Sequence, residues 1–469
     1  MAALALAAGP AVKDATAAPA PLTLGLDGGG PLTAPEPSLS APWLSRAGAD
    51  GAQIVRVILP WSAVAPKVRP PGFRAADPAS PGYSWSSVDT TVRSLASAGF
   101  QVILVVLGAP SWAEGRGRPL GAAPGAWRPD PAQLGLFAHA AALRYSGHYP
   151  DPDTPGATLP GVRDWETWNE PNLSIYLSPQ WTRRGRRYVA ESPILYRRML
   201  NAFYGSVKQA APTDVVIAGG TAPFGDPAAG GARMPPVLFW QQLLCLKGAA
   251  LSAVRCDRAH FDVLDHHPYD IGGPLQPALE PGDVSIPDMG KLTRLLHAAV
   301  RARTVLPRGP KAVWTTEIGW VSRPPNPLGV PLGRQAHWLE QALYVLWREG
   351  VSDVLWLQLS DQSGAATPTA LDDGLYFSDG HPKPAVVAYS FPFVTTREGG
   401  AAGQRVLAWG RSPAAGELLI EALAERRWSV VGRVNVVRGQ VFSRSIRLPP
   451  RSTLRARIGT MTSLTWEQS

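Results

Sequence analysis

Two stretches of this 469-residue chain place a glutamate at the end of a short apolar run. The first reads Asp164-Trp165-Glu166-Thr167-Trp168-Asn169-Glu170-Pro171-Asn172, the second Trp314-Thr315-Thr316-Glu317-Ile318-Gly319-Trp320. Two carboxyl groups across a cleft can divide one reaction between them. One protonates a departing oxygen, while the other meets the positive charge developing at carbon. A lone glutamate in such a place is more often a solvated loop carboxylate or an ion-pair partner. Other polar and aromatic residues lie at run ends as well: Trp61, the segment Pro110-Ser111-Trp112, and His266-His267-Pro268-Tyr269. Asp265, His266 and His267 have the residue types of a metal site, but no third cluster at ligand spacing joins them, so neither metal nor cofactor is expected. Gly25-Leu26-Asp27-Gly28-Gly29-Gly30 lacks dinucleotide-loop spacing and reads as a tight turn after a strand. No Gly-x-Ser-x-Gly nucleophile elbow occurs.

Eight runs must position these groups: Leu22–Asp27, Ile54–Pro60, Gln101–Leu107, Val162–Trp168, Val215–Gly219, Phe261–Asp265, Ala312–Thr316 and Val354–Leu359. Each is β-branched or Leu-rich and too short for a helix. Helical patterns intervene at Ser87–Ala98, Pro131–Tyr145, Pro193–Ala210, Val237–Lys247, Asp288–Arg303 and Gln335–Glu349. Repeated strand-then-helix units predict an α/β fold, a (β/α)8 TIM barrel, whose functional residues gather at the C-terminal ends of the strands. Glu170 follows the fourth run and Glu317 the seventh, on opposite walls of one mouth. The Pro/Gly-rich stretches 66–82, 116–131, 226–236 and 322–333 read as loops that shape the cleft.

From about residue 394 the texture changes to short strand-like runs separated by turns. This predicts a small C-terminal antiparallel β-sandwich-like domain. Packing against the barrel is favoured over sugar binding, because Trp409, Trp428 and Trp466 make no clear aromatic platform. The expected division is a leader over 1–21, a barrel over 22–393 and a β domain over 394–469.

Forty-five Lys and Arg against 36 Asp and Glu give a net charge of +9, spread along the chain and matching no nucleic-acid module. The 17 tryptophans exceed the 11 tyrosines, and indole faces stack on sugar rings as well as on core neighbours. Trp61 and Trp112, near strand ends, are candidates for such contact. The apolar start Met1–Ala8 and the Ala17-Ala18-Pro19-Ala20 segment resemble a truncated signal peptide, so secretion is expected, with Cys245 and Cys256 as a bridge. No later apolar run is long enough to span a membrane.

The two glutamate segments, in that order and on those runs, resemble the fourth- and seventh-strand signatures of glycoside hydrolase clan A. The likeness covers most of residues 22–390. It is nearest to families 5 and 39, and Pro110-Ser111-Trp112-Ala113 leans toward 39. The resemblance implies a retaining hydrolase of β-glycosides with Glu170 as acid/base and Glu317 as nucleophile. It implies that Arg56 holds the nucleophile ionised, that Tyr269 hydrogen-bonds it and that His267, rather than His266, faces the sugar. Asn169 would contact the sugar 2-hydroxyl, and Trp356 would floor the reactive subsite. The partner is then a carbohydrate, with no nucleic acid and no membrane span. A barrel that binds sugar without turnover, and a transglycosylase using the same residues, are the rival readings.

Overall fold

In a computed structural model of the chain, which describes residues 19–362, 371–398, 405–448 and 452–467, the eight runs form the strands of one closed barrel. They are β1 (Thr23–Asp27), β2 (Ile54–Pro60), β3 (Gln101–Leu107), β4 (Asp164–Thr167), β5 (Val215–Thr221), β6 (Val263–His266), β7 (Ala312–Ile318) and β8 (Asp353–Trp356). Each pairs in parallel with its neighbours in chain order, and β8 closes onto β1 through the register Leu24↔Val354. A helix follows every strand: α1 (Pro37–Ala49), α2 (Ser86–Ser97), α3 (Pro131–Arg144), α4 (Ser192–Ala210), α5 (Pro236–Leu243), α6 (Gly290–Ala302), α7 (Leu332–Arg348) and α8 (Pro384–Ser390). The fold is the expected (β/α)8 barrel. Most of the expected leader lies in residues 1–18, outside the described residues.

Side chains on a strand alternate between faces, so inward positions recur every second residue. Ile54, Ile103, Ile217, Val263, Trp314 and Leu355 meet in one apolar cluster inside the barrel. Two residues further along β2, β6 and β7 the interior becomes polar at Arg56, Asp265 and Thr316, which with Glu166 of β4 are all buried. The apolar layer plugs the barrel. The polar layer above it opens toward the C-terminal ends of the strands, where loops meet solvent.

Antiparallel pairing begins at β9 (Phe393–Arg397). One sheet has the order β9, β10 (Arg405–Arg411), then the later strand Val441–Arg447. The other has β11 (Gly416–Ala424) between β12 (Arg427–Val436) and Thr453–Ile458. Phe393, Ala408, Leu418, Ile420, Phe442 and Leu454 fill the space between the two sheets. This sandwich docks on the barrel far from the strand C-termini. Trp409 is buried against Tyr344 and Trp347 of α7, with ring centroids 5.4 and 5.7 Å away. Arg411 donates to Leu22 O (3.0 Å) and Gln53 Oε1 (2.7 Å), at the starts of β1 and β2. Trp428 lies under the guanidinium of Arg455 at 4.1 Å. Cys245 and Cys256 form a disulfide with Cα atoms 6.1 Å apart.

Candidate active site

Strand β4 delivers its glutamate through a tight turn. Trp168 and Glu170 both take left-handed backbone conformations (φ 72° and 38°), which cost non-glycine residues energy unless their surroundings hold them. The holding bonds are Trp168 N–H to Val106 O (3.0 Å), the Trp168 indole N–H to Tyr176 O (2.7 Å), and Glu170 N–H to Gly220 O (2.9 Å). The opposing β5 is glycine there for a steric reason. A Cβ on Gly219 would lie 2.3 Å from Trp168 O, and one on Gly220 would lie 2.1 Å from His267 Nε2. Asn172 ties the same turn to Ala222 and Met234.

Arg56, fully buried on β2, is the hub of the site. Its Nε and Nη2 donate to Glu166 at 2.6 and 3.0 Å. Nη2 also reaches Asn169 Oδ1 at 2.7 Å, and Nη1 reaches Glu317 Oε1 at 2.7 Å and Asp27 Oδ2 at 3.3 Å. Tyr269 donates its hydroxyl to the other Glu317 oxygen at 2.9 Å. His267 stands between the two candidate glutamates, with Nδ1 3.2 Å from Glu170 Oε1 and 3.5 Å from Glu317 Oε2. Its Nε2 faces Thr316 Oγ1 at 3.0 Å, and that hydroxyl donates to Asp265 Oδ2 at 2.5 Å. Since the Thr316 hydrogen is committed to Asp265, Nε2 of His267 must donate. One oxygen of Glu170 and one of Glu317 lie within 4.8 Å of each other and of a His267 nitrogen.

Charge states follow from these contacts. Burial alone would raise Glu317, but the charges of His267 and Arg56 and the Tyr269 hydrogen bond outweigh it and hold the carboxyl below its ordinary 4.5. Burial alone would lower His267; Glu317, Asp265 and Glu170 reverse this and keep the imidazole protonated well above 6.5. At neighbouring His266 only Asp265 acts that way, and the charge of His267 opposes it. His266 bonds Thr221 and Val284 O, and burial pushes it down to about 4. Burial raises Tyr269 far above its ordinary value, with Glu317 and Asp373 adding to the effect, so it stays a neutral donor.

The structure thus brings together Arg56, Asn169, Glu170, His267, Tyr269 and Glu317. Trp356, at the end of β8, is 1% exposed, with its indole N–H on Asp373 O (2.8 Å) and its ring 6.0 Å from that of Trp320, so it presents no open ring face as the expected floor. Trp61 requires a correction. It is 0% exposed and stacked on Phe137 at 5.6 Å, because the short helical turn Trp61–Val64 rotates it into the core, so it cannot touch a sugar. Trp112 keeps a partly open ring, with its N–H on Pro66 O (2.7 Å), its ring edge-on to Trp61 and Phe73, and Arg69 over it at 5.6 Å. Asp27, Glu166, Asp265, Thr316 and Tyr176, which hydrogen-bonds Asn169, join the site without having been singled out for it. For Asp27, Glu166, Asp265 and Thr316 the signal was a polar residue inside or just past an apolar run, Asp265 having been weighed only as a metal ligand, whereas Tyr176 lies outside the runs. Glu166, Asp265 and His267 also bring possible ligand atoms within 4.8 Å of one another. The bidentate guanidinium of Arg56 already occupies Glu166, so this cluster carries its own cation.

No family model matches the chain, and no curated protein matches it in sequence. Among solved structures it is similar to a family 39 glycoside hydrolase from the gut symbiont Bacteroides cellulosilyticus WH2, with TM-score 0.55 and 19% identity, covering 92% of this chain and 81% of that one. It is also similar to a monomeric β-xylosidase from Caulobacter crescentus CB15, with TM-score 0.51 and 15% identity, covering 92% and 95% of the two chains. A glucosidase from Croceicoccus marinus gives TM-score 0.51 and 13% identity, covering 94% of each. At these identities the likeness defines a fold: the (β/α)8 barrel with appended β domain, shared with family 39 glycoside hydrolases of clan A. Among the described residues no helix is long and apolar enough to cross a membrane.

Proposed function

We propose that the chain is a retaining hydrolase of β-O-glycosides, working by double displacement. The observation that carries this is the approach of the Glu170 and Glu317 oxygens to within 4.8 Å. Retaining glycosidases hold their two carboxyl groups about 5–5.5 Å apart, whereas inverting ones leave about 6.5–9.5 Å for a water. In the first step Glu317, ionised and aimed by Arg56 and Tyr269, attacks the anomeric carbon, and the C–O bond to the leaving group breaks. Glu170 gives its proton to that oxygen. In the second step Glu170 takes a proton from water, the water oxygen attacks the same carbon, and the ester to Glu317 breaks. Asn169, locked by Arg56 and Tyr176, is placed for the 2-hydroxyl. Export to an oxidising compartment belongs to the same proposal, supported by the Cys245–Cys256 bridge.

The test is proton NMR of the first-formed product from an aryl β-glycoside, together with a 2-deoxy-2-fluoro glycoside as a trap. Expected are a β-configured product and a covalent adduct on the peptide bearing Glu317. An α-configured product would overturn retention. Azide should rescue Glu170→Ala on an activated aryl glycoside. Product analysis with added sugar acceptors separates hydrolysis from transfer.

A further inference from the structure

Three carboxylates at the barrel mouth keep a face open to solvent. The side chains of Glu170, Glu317 and Asp27 are 12%, 14% and 15% exposed, whereas that of Glu166 is 0% exposed. The mechanism uses the first two and leaves Asp27 without a task. Asp27 ends β1 and shares Arg56 Nη1 with the nucleophile, at 3.3 Å against 2.7 Å for Glu317. Its backbone is pinned at the mouth. The next residue, Gly28, donates its N–H to Arg56 O at 2.6 Å, and a Cβ there would come 2.5 Å from that oxygen. Only Oδ2 of Asp27 takes the guanidinium, which leaves Oδ1 available to a ligand on a side chain that is partly open to solvent. Burial pushes this carboxyl up to about 7 in spite of Arg56, so near neutrality it can either donate to or accept from a hydroxyl.

The surrounding charge is lopsided. Asp27, Glu166, Glu170, Asp265 and Glu317 converge here, and the cations that face them are Arg56 and His267. Both are already spent. Arg56 serves Glu166, Asn169, Glu317 and Asp27, and His267 lies between Glu170, Glu317 and Thr316. Lys383, the buried lysine behind the β8 end, is bound to Asp361 at 2.5 Å and Ser322 at 2.8 Å. A sugar carboxylate entering the subsite would lose its hydration, meet several like charges and find the two cations that face them, Arg56 and His267, already engaged.

On the reading of the chain as a glycoside hydrolase, we infer that Asp27 binds a hydroxyl of the ring attacked by Glu317, and that this subsite takes a neutral sugar and rejects a uronic acid. The basic surface does not alter this, because selectivity is decided where the ring is desolvated.

The experiment has two independent parts. In the first, wild-type enzyme is assayed on aryl β-glycosides in pairs that differ only at C6: glucoside with glucuronide, galactoside with galacturonide. The expected result is a kcat/KM about 100-fold or more higher for the neutral member of whichever pair is cleaved. A uronide cleaved as well as its neutral partner would overturn the inference and leave the hydrolase reading standing. If no glycoside is cleaved and the fluoro trap labels nothing, both fall. In the second, Asp27→Asn is compared with wild type on the best neutral glycoside and on its 3-, 4- and 6-deoxy analogues. Asn should lower kcat/KM by about 10–100-fold on the parent sugar. On one deoxy analogue that loss should vanish, because the lost hydroxyl was the partner. An equal loss on every analogue would show that Asp27 acts only through Arg56, and would overturn its role in binding.

Discussion

Arg56 and Arg411 are buried arginines at opposite ends of one barrel. At the mouth Arg56 touches three carboxylates, and they raise its proton affinity further although burial works against it. At the base Arg411 bonds a backbone carbonyl and an amide oxygen and, among the described residues, no carboxylate, and burial lowers it. The adjacent histidines repeat the contrast. His267, among carboxylates, holds its proton, while His266, among neutral acceptors, is neutral. Burial by itself does not make a functional charge. What distinguishes the mouth is the convergence of opposite charges, one of which must be free to react.

The comparison can be broken in four places. Arg56→Met should have the largest effect, because it strands Glu166 and Glu317 without their cation. A cost of about 3–5 kcal/mol in stability is expected, with kcat reduced by several orders of magnitude; retention of both would deny Arg56 its hub role. His266→Gln tests the neutral histidine through pH. A histidine lowered in the fold lets the unfolded chain bind the extra proton, so its contribution is present above 6.5 and is lost as pH falls toward about 4. Wild type should lose about 3 kcal/mol over that window relative to the variant, read from urea melts at both ends. Arg411→Met leaves Leu22 O and Gln53 Oε1 unpaired. It should cost about 1–2 kcal/mol of stability and leave kcat unchanged; a fall in kcat would link the sandwich to the chemistry. Tyr269→Phe removes one hydrogen bond from Glu317. It should lower kcat/KM about 10-fold and move the acid limb of the pH profile upward, from below 4.5 toward it.

Much of the architecture was legible along the chain because a barrel strand is a local pattern. All eight apolar runs became strands, with β2 and β3 matching residue for residue. The helices α1 and α8 lie outside the six helical patterns read from the sequence. The first carries Pro42 in its interior and only a weak apolar stripe, and the second spans just seven residues. Trp61 was misread because a strand end looks the same in sequence whether the next turn points a ring outward or inward.

The sequence by itself singled out Glu170 and Glu317 as the candidate pair of carboxylates, since both sit at the ends of their runs. Tertiary structure alone decided who surrounds them. Asp27, Glu166, Asp265 and Thr316 lie on four different strands, and along the chain each is one polar residue in or beside an apolar run. Closing the barrel turns the inward positions of those strands toward one axis, and only then do distant residues share a guanidinium, a proton and a charge balance. Periodicity is a property of neighbours in sequence, whereas a charge state is a property of neighbours in space.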